Sequence, residues 1–167
     1  YDIYRHDYGE RITGGTSTQT ANSGVSTLHD SSFYVLTTDR NVYKCLDNDN
    51  NTASTVEPTG TATTVLTTAD GYKWKYMYTL SASQQANFLS TDFMAVSTDS
   101  TVSSAAVSGA IDIIRIKSAG SGGANGTHTG IAIRGDGSGG VCSVTVAGGV
   151  VTAVTVTTAG TGYTFGT

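Results

Sequence analysis

Apolar and polar positions alternate along the middle of the chain, and this alternation predicts β-strands. From residue 72 to residue 78 every second side chain is aromatic, and Lys73 and Lys75 lie between the first three of them. A period of two places alternate residues on the same face of a strand, so one aromatic face is expected to be buried. The residues predicted to share that face are Tyr72, Trp74, Tyr76 and Tyr78.

Two shorter apolar runs precede this strand, and one helical segment follows it. Phe33–Leu36 and Asn41–Leu46 are rich in β-formers and predict two strands joined by a turn. Ser81–Leu89 has apolar residues near helical spacing, and Ser81 or Ser83 is expected to cap it.

From about Val102 onward the pattern changes, because aromatic residues become rare and glycine becomes frequent. Gly109–Gly122 aligns without gaps on Gly149–Gly162, with an offset of 40 residues and 4 identical positions. An offset of this size is typical of repeat units that stack on one another. We call these two segments the first and second repeat copies.

Two valine-rich runs, 141–147 and 150–156, flank Gly148 and Gly149. Two glycines accept the positive φ angles of a tight turn, so a hairpin with Ala147 opposite Val150 is predicted. Uninterrupted pairing would place Val144, Val146, Val151 and Ala153 on one face. Both faces would be partly apolar, so neighbouring layers or another chain are expected to cover them. The candidate interface is the other face, with Val141, Val150, Val154 and Val156.

Together these patterns predict a mainly-β chain in two parts. Residues 1–100 are expected to form an antiparallel β-sandwich-like domain with one short helix. Residues 101–167 are expected to form a Gly-rich β-hairpin repeat module. Because the sequence begins at Tyr1 rather than Met, we interpret the chain as a segment of a longer protein or a processed product.

Composition narrows the classes of function. Only 13% of the residues are charged, where about 25% is usual, and 9 Lys and Arg face 13 Asp and Glu. A basic surface for nucleic acid is therefore not expected. No stretch approaches the roughly 20 apolar residues of a membrane span. Acid–base catalysis has few groups to draw on, because His6-Asp7 and His29-Asp30 read as surface polar residues and the serines lie in polar runs. We therefore expect no enzyme activity and no cofactor.

Two motifs suggest ligands but have simpler interpretations. Residues 135–140 match the dinucleotide pattern G-x-G-x-x-G, but a strand rather than a helix is predicted to follow, so a turn is favoured. Residues 47–51 begin like a calcium loop, with Asp47, Asp49 and Asn51 as oxygen ligands. The sixth and twelfth positions are Thr52 and Pro58, so a solvated acidic loop is favoured and loose calcium binding is the alternative.

Three further features leave alternatives open. Cys45 and Cys142 lie far apart in sequence and are interpreted as reduced thiols, with a disulfide as the alternative. Asn50 and Asn125 match the glycosylation pattern, which would matter only in an exported protein. The aromatic strand is interpreted as sheet core, and a carbohydrate-stacking platform is the alternative.

The middle of the chain resembles a known family. Val42–Asp47, Thr55–Gly60 and Asp70–Tyr78 together are similar to a stretch of the baseplate wedge subunit family of contractile-tailed bacteriophages. The resemblance covers about residues 1–100 and is most specific at 33–80. The Gly-rich part from 102 on looks like modules found in many phage structural proteins.

This resemblance implies a non-enzymatic, β-rich structural subunit that binds copies of itself and other structural proteins, in a virion tail or an extracellular assembly. One alternative is a surface fibre subunit that polymerises by strand exchange and carries glycans. Another is a carbohydrate-binding module that uses Tyr72, Trp74 and Tyr76.

Overall fold

A computed structural model of the chain describes residues 2–5, 33–50, 52–90 and 93–167, with the backbone alone described for 2–5. These residues form two antiparallel sheets and two short helices, consistent with the mainly-β, sandwich-like class that the sequence predicts. The chain divides into two compact units, Tyr1–Ala105 and Ala106–Thr167. The strands are β1 Asp2–Arg5, β2 Phe33–Leu36, β3 Asn41–Asp47, β4 Leu66–Thr67, β5 Lys73–Thr79, β6 Gly126–Ala132, β7 Val141–Ala147 and β8 Val150–Thr158, and the helices are α1 Ala82–Phe88 and α2 Ser100–Ala105.

The first unit is built on a 5-stranded antiparallel sheet in the order β1-β2-β3-β5-β4. The predicted turn between β2 and β3 is present. In this turn Arg40 has a φ of 65°, and its N–H donates to the carbonyl of Thr37 at 2.9 Å. The aromatic strand β5 lies beside β3 in the interior of the sheet, which explains why its side chains are buried.

The prediction that all four aromatic residues share one face is wrong at Tyr78. The pairing of β3 with β5 shifts register, so that Val42 lies opposite Tyr78 while Tyr43 lies opposite Tyr76. Opposite residues share a face, and neighbours along a strand do not. The extra residue, Met77, therefore turns Tyr78 to the other side of the sheet.

Each face of this sheet carries its own apolar cluster. The larger cluster contains Phe33, Val35, Tyr43, Cys45, Tyr72, Trp74 and Tyr76, with Leu66 and Val102 packed against it. The smaller contains Leu36, Val42, Tyr78 and Leu80, with Tyr34, Met77, Leu89, Met94 and Ala95 at its margin. The apolar side chains of β2, β3 and β5 thus stabilise the sheet from both sides.

The predicted helix at 81–89 is confirmed as α1, and Ser81 is its N-cap. The Ser81 hydroxyl accepts from the Gln84 N–H at 3.1 Å, and the Gln84 side chain accepts from the Ser81 N–H at 2.9 Å. This reciprocal capping box satisfies two backbone donors of a helix that buries none of its residues. The second helix, α2, was not predicted; Asp99 caps it by accepting from the N–H groups of Thr101 and Val102.

The second unit is built on a 3-stranded antiparallel sheet in the order β6-β7-β8. The β7–β8 hairpin turns at Gly148 and Gly149, whose φ angles are 63° and 80°, and Ala147 lies opposite Val150 as predicted. Positive φ at both turn residues is the type I′ pattern that suits the twist of a two-residue hairpin.

Two bulges in β8 change the predicted faces of this hairpin. The register shifts between Thr145 and Val146 and again between Val141 and Cys142, because β8 has extra residues at Thr152 and Thr157. Each extra threonine donates its hydroxyl to a β7 carbonyl, at 3.2 and 3.1 Å. The side chains that therefore share one face are Cys142, Val144, Val146, Val151, Val154 and Val156.

The two repeat copies lie beside each other in opposite directions. The Ile111 N–H donates to the Ala159 carbonyl at 3.0 Å, and the Val151 N–H donates to the Ala119 carbonyl at 2.9 Å. These two bonds are equivalent under the 40-residue offset. Tyr163 to Gly109 and Gly123 to Gly149 form a second equivalent pair of bonds, at 3.1 and 2.9 Å. The copies are thus related locally by an approximate two-fold axis.

Candidate interaction site

The most exposed strand of the described chain is β6, at one edge of the second sheet. All seven of its residues are exposed, and none is Asp, Glu, Lys or Arg. Its pairing with β7 shifts between His128 and Ile131, and Gly130 in that interval has a φ of 71°. On the side away from β7, no strand in the described ranges pairs with β6. An uncharged, unpaired edge presents backbone donors and acceptors to another strand.

The four valines of the predicted interface do not form one surface. Val154 and Val156 lie on the face of Cys142 and Val146, which are buried, whereas Val141 and Val150 lie on the opposite face. The prediction that they share a face is wrong because the threonine bulges reverse the alternation within β8.

A segment that follows β8 is held on a glycine-rich loop. We call residues 160–167 the docking segment and residues 133–140 the glycine loop. The Tyr163 side chain lies so close to Gly137 and Gly140 that a β-carbon at Gly137 would be 2.4 Å from a ring carbon, and one at Gly140 would be 2.8 Å from the hydroxyl oxygen. The Tyr163 hydroxyl accepts from the Gly140 N–H and donates to the Ile133 carbonyl, both at 3.1 Å. The predicted turn at 135–140 is confirmed, and its glycines make room for this ring.

Asp136 fixes the next two residues of the docking segment. Its carboxylate accepts from the hydroxyl and the N–H of Thr164 and from the N–H of Phe165. The Thr164 hydroxyl bond and then the two backbone bonds lower the pKa of Asp136 from 3.8 to about 2. The docking segment is therefore bound to an ionised carboxylate at neutral pH.

Neither Tyr163 nor Asp136 was predicted to be a site residue. Tyr163 is the only tyrosine in the second half of the chain, and it directly follows a Gly-x-Gly run. A lone aromatic residue beside such glycines was the available signal. The contact of Asp136 with Thr164 could not be predicted, because the two residues are 28 positions apart in sequence.

The aromatic residues of β5 and Tyr72 are core residues, as the sequence favours. Trp74 is 0% exposed, Tyr76 is 4% and Tyr72 is 5%, so no stacking platform for a sugar exists at these rings. Tyr72 and Trp74 stack on each other, with ring centroids 5.3 Å apart. Their polar atoms bind loops instead: the Tyr72 hydroxyl donates to the Thr52 carbonyl at 2.5 Å, and Trp74 Nε1 donates to the Thr68 hydroxyl at 3.2 Å.

The acidic residues of the predicted calcium loop make contacts within the protein. Asp47 lies 3.7 Å from the ammonium group of Lys73, and Asp49 accepts from the Thr52 hydroxyl at 3.3 Å. The third candidate ligand, Asn51, lies outside the described residues. Across the residues that the structure describes, no three His, Cys, Asp or Glu side chains are grouped where they could hold a metal ion.

The remaining candidate residues are placed as follows. Asn50 and Asn125 are exposed, and the Asn125 side-chain oxygen accepts from the Gly149 N–H at 3.0 Å. Cys45 and Cys142 are buried, and neither forms a disulfide. The His6-Asp7 and His29-Asp30 pairs lie outside the described residues.

A second exposed feature begins at the last residue of α1 in the first unit. Phe88 is 63% exposed, Phe93 is 64% and Val96 is 87%, all within nine positions of sequence. Large apolar side chains gathered at a surface are typical of protein–protein contacts. This segment is the second surface, after β6, that a partner could cover.

Comparisons with known proteins add no relative. No protein-family model, curated protein or solved structure matches this chain. Among the described residues, no helix has the length and apolar character needed to cross a membrane.

Proposed function

We propose that this chain is a non-enzymatic structural subunit that binds copies of itself and other structural proteins. The observation that carries the proposal is the edge strand β6, which is exposed at every position and has no Asp, Glu, Lys or Arg. Natural edge strands are usually protected by lysine, proline or a covering loop. Within the part of the chain that the structure describes, the bulge near Gly130 is the one such protection of β6, so this edge is suited to strand addition by a partner.

The particular assembly in the proposal is a bacteriophage tail baseplate or a related extracellular structure. This assembly is supported by the resemblance of residues 33–80 to the baseplate wedge family. The segments of this chain that carry the resemblance are neighbours in space. Cys45 in the first segment lies opposite Trp74 in the third. Glu57 in the second accepts from the N–H and the hydroxyl of Thr38, beside the first, at 2.7 and 3.1 Å.

A surface fibre subunit is the second candidate, and one observation favours it. The two repeat copies already pair antiparallel within the second unit, through the equivalent bonds of Ile111 and Val151. The same pairing could form between chains. If the rotation from one chain to the next did not close a ring, the sheet would extend without limit and give filaments. Glycans on Asn50 and Asn125 belong to this candidate.

Electron microscopy and native mass spectrometry of the protein, alone and mixed with baseplate proteins, test the proposal. Closed assemblies that contain other baseplate proteins would support the baseplate role, and uniform filaments of this chain alone would support the fibre. A stable monomer that binds none of these proteins would contradict both.

A pair of lysine substitutions tests the role of β6. Ile131→Lys places a charge on the edge strand, where Ile131 is 39% exposed, and is expected to abolish assembly through this edge. Ser83→Lys on the exposed surface of α1 is the matched control and is expected to assemble normally. Equal assembly by both variants would remove β6 as the contact.

A further inference from the structure

The docking segment is bound at several points outside the sheet ladder. The ladder of β8 ends at Thr158, and Thr161 then forms two hydrogen bonds of 3.0 Å with Ser138. Beyond the Tyr163 and Asp136 contacts, Thr167 forms two more backbone bonds with Arg134, at 2.7 and 2.9 Å. The segment therefore contributes an almost complete set of polar contacts without belonging to the β6-β7-β8 sheet.

Apart from the Tyr163 ring, which packs against the glycines of the loop, little apolar burial ties this segment to the rest of its unit. The described apolar side chains that the second unit buries are Ile133, Cys142 and Val146, and none lies in the docking segment. The other contacts of the segment are backbone bonds from Gly162 to Ser108 and from Tyr163 to Gly109, at 2.9 and 3.1 Å. Polar contacts of this kind can be remade in the same geometry by an identical segment from another chain.

The two repeat copies differ in the residues that follow them, because the residues after the second copy bind the glycine loop and those after the first do not match them. Gly120 and Gly122 have φ angles of 65° and 74°, and their counterparts Gly160 and Gly162 have 65° and 73°. The backbone thus follows the same path through each Gly-x-Gly. The next two residues are Gly123-Ala124 in the first copy and Tyr163-Thr164 in the second, so the first copy lacks the ring and the hydroxyl that the loop binds.

We propose that the docking segment is exchanged between two copies of this chain, so that Tyr163 of each copy occupies the glycine loop of the other. This inference rests on the proposed function, since it adds to the β6 edge a second contact by which copies join. The partner that fills the loop is a second copy of this chain, because the chain's own docking segment already fits the loop through its ring and its hydrogen bonds. The positive-φ glycines at 160 and 162 follow the end of the ladder, where the backbone can change direction.

A paired-cysteine variant of the full chain reports exchange directly. Ser138 and Thr161 form an isolated antiparallel bridge, and α-carbons in such a hydrogen-bonded pair lie about 5.5 Å apart. A disulfide can span that separation. Oxidation of Ser138→Cys/Thr161→Cys at increasing protein concentration should give a rising fraction of covalent dimer, while the single-cysteine variants serve as controls. A disulfide formed only within one chain at every concentration would overturn the proposal.

Two complementary variants test the same contact without cysteines. Tyr163→Ala leaves a glycine loop with no ring to fill it, and Gly137→Ala blocks the loop while the docking segment stays intact. In an Ile131→Lys background, which removes the β6 contact, each variant alone should remain monomeric. Their equimolar mixture should form a heterodimer, detected by native mass spectrometry with one variant isotopically labelled, because one productive insertion remains. Circular dichroism of each variant checks that its sheets are formed, and Tyr163→Phe offers a milder change that keeps the ring.

The outcomes separate this inference from the proposed function. Assembly of the wild-type chain that persists unchanged in both Tyr163→Ala and Gly137→Ala would overturn exchange and leave the structural role standing. A wild-type chain that assembles with no copy of itself and no other structural protein would overturn both.

Discussion

The side chains of Asp70 and Ser54 are joined by a hydrogen bond of 2.8 Å across 16 residues of sequence. The same Asp70 oxygen accepts from the N–H groups of Thr55 and Val56, and the other accepts from the Thr68 hydroxyl. Partial burial raises the pKa of Asp70, but these hydrogen bonds outweigh it, so the net pKa lies well below 3.8. One ionised carboxylate thus holds the loop after β3 against the turn before β5.

Asp70→Asn is expected to destabilise the first unit by about 1–2 kcal/mol, because the amide nitrogen cannot accept the bonds that one carboxylate oxygen accepts. Trp74 is the sole tryptophan and lies in the core of this unit, so its fluorescence in urea reports the free energy of unfolding. Asp39→Asn, at an exposed position in the β2–β3 turn, is the control and should leave the midpoint unchanged. Equal midpoints for the two variants would show that the Asp70 contacts add no stability.

Docking of residues 160–167 is expected to depend on pH through Asp136. Its pKa in the folded chain is about 2, below the ordinary 3.8. A lowered pKa means that the stabilisation is complete above about pH 4 and is lost as the pH falls through about 2. The amide chemical shifts of Thr164 and Phe165 should therefore titrate with a midpoint near 2 in NMR spectra. Asp136→Asn should remove that titration, and a midpoint near 4 in the wild type would show that the bonds are absent in solution.

The turn of the β7–β8 hairpin should tolerate asparagine and reject alanine at position 148. Gly148 has a φ of 63°, and a β-carbon there would meet no atom within 4 Å, so a substitution acts only on the backbone. Alanine in this region costs about 1–2 kcal/mol, whereas asparagine before glycine favours a type I′ turn. Hydrogen exchange of the β7 amides should accelerate in Gly148→Ala and stay near the wild-type rate in Gly148→Asn. The same rate in both variants would exclude a type I′ turn.

Features set by neighbouring residues could be predicted from the sequence, and features set by distant residues could not. The Ser81 cap and the Gly148-Gly149 turn each depend on a few adjacent positions. The bulge that turns Tyr78 away from Tyr76 depends on which residue of β3 lies opposite each ring. The alternating sequence of β5 gives no sign of this shift.

The candidate site shows the same division. The exposed edge of β6 follows from its place at the end of the sheet, which no single strand reveals. The fit of Tyr163 requires the glycine loop to lie beside a segment that follows the next hairpin. Glycines at 135–140 indicated a turn, and only the fold shows that they also leave room for a ring.

Substitutions at Val154 and Ala153 distinguish the observed register from an uninterrupted one. Val144 lies opposite Val154, so Val154 belongs to the apolar face, and Ala153 lies opposite Thr145 on the other. Val154→Thr places a hydroxyl on the apolar face and should cost about 1 kcal/mol, because that group loses water without gaining a partner. Ala153→Thr at an exposed position should change stability by less than about 0.5 kcal/mol. Thermal unfolding followed by circular dichroism, with hydrogen exchange in β7, measures both. In an uninterrupted hairpin Ala153 would lie on the face of Val144 and the order of the two effects would reverse, so a larger loss in Ala153→Thr would contradict the Thr152 bulge.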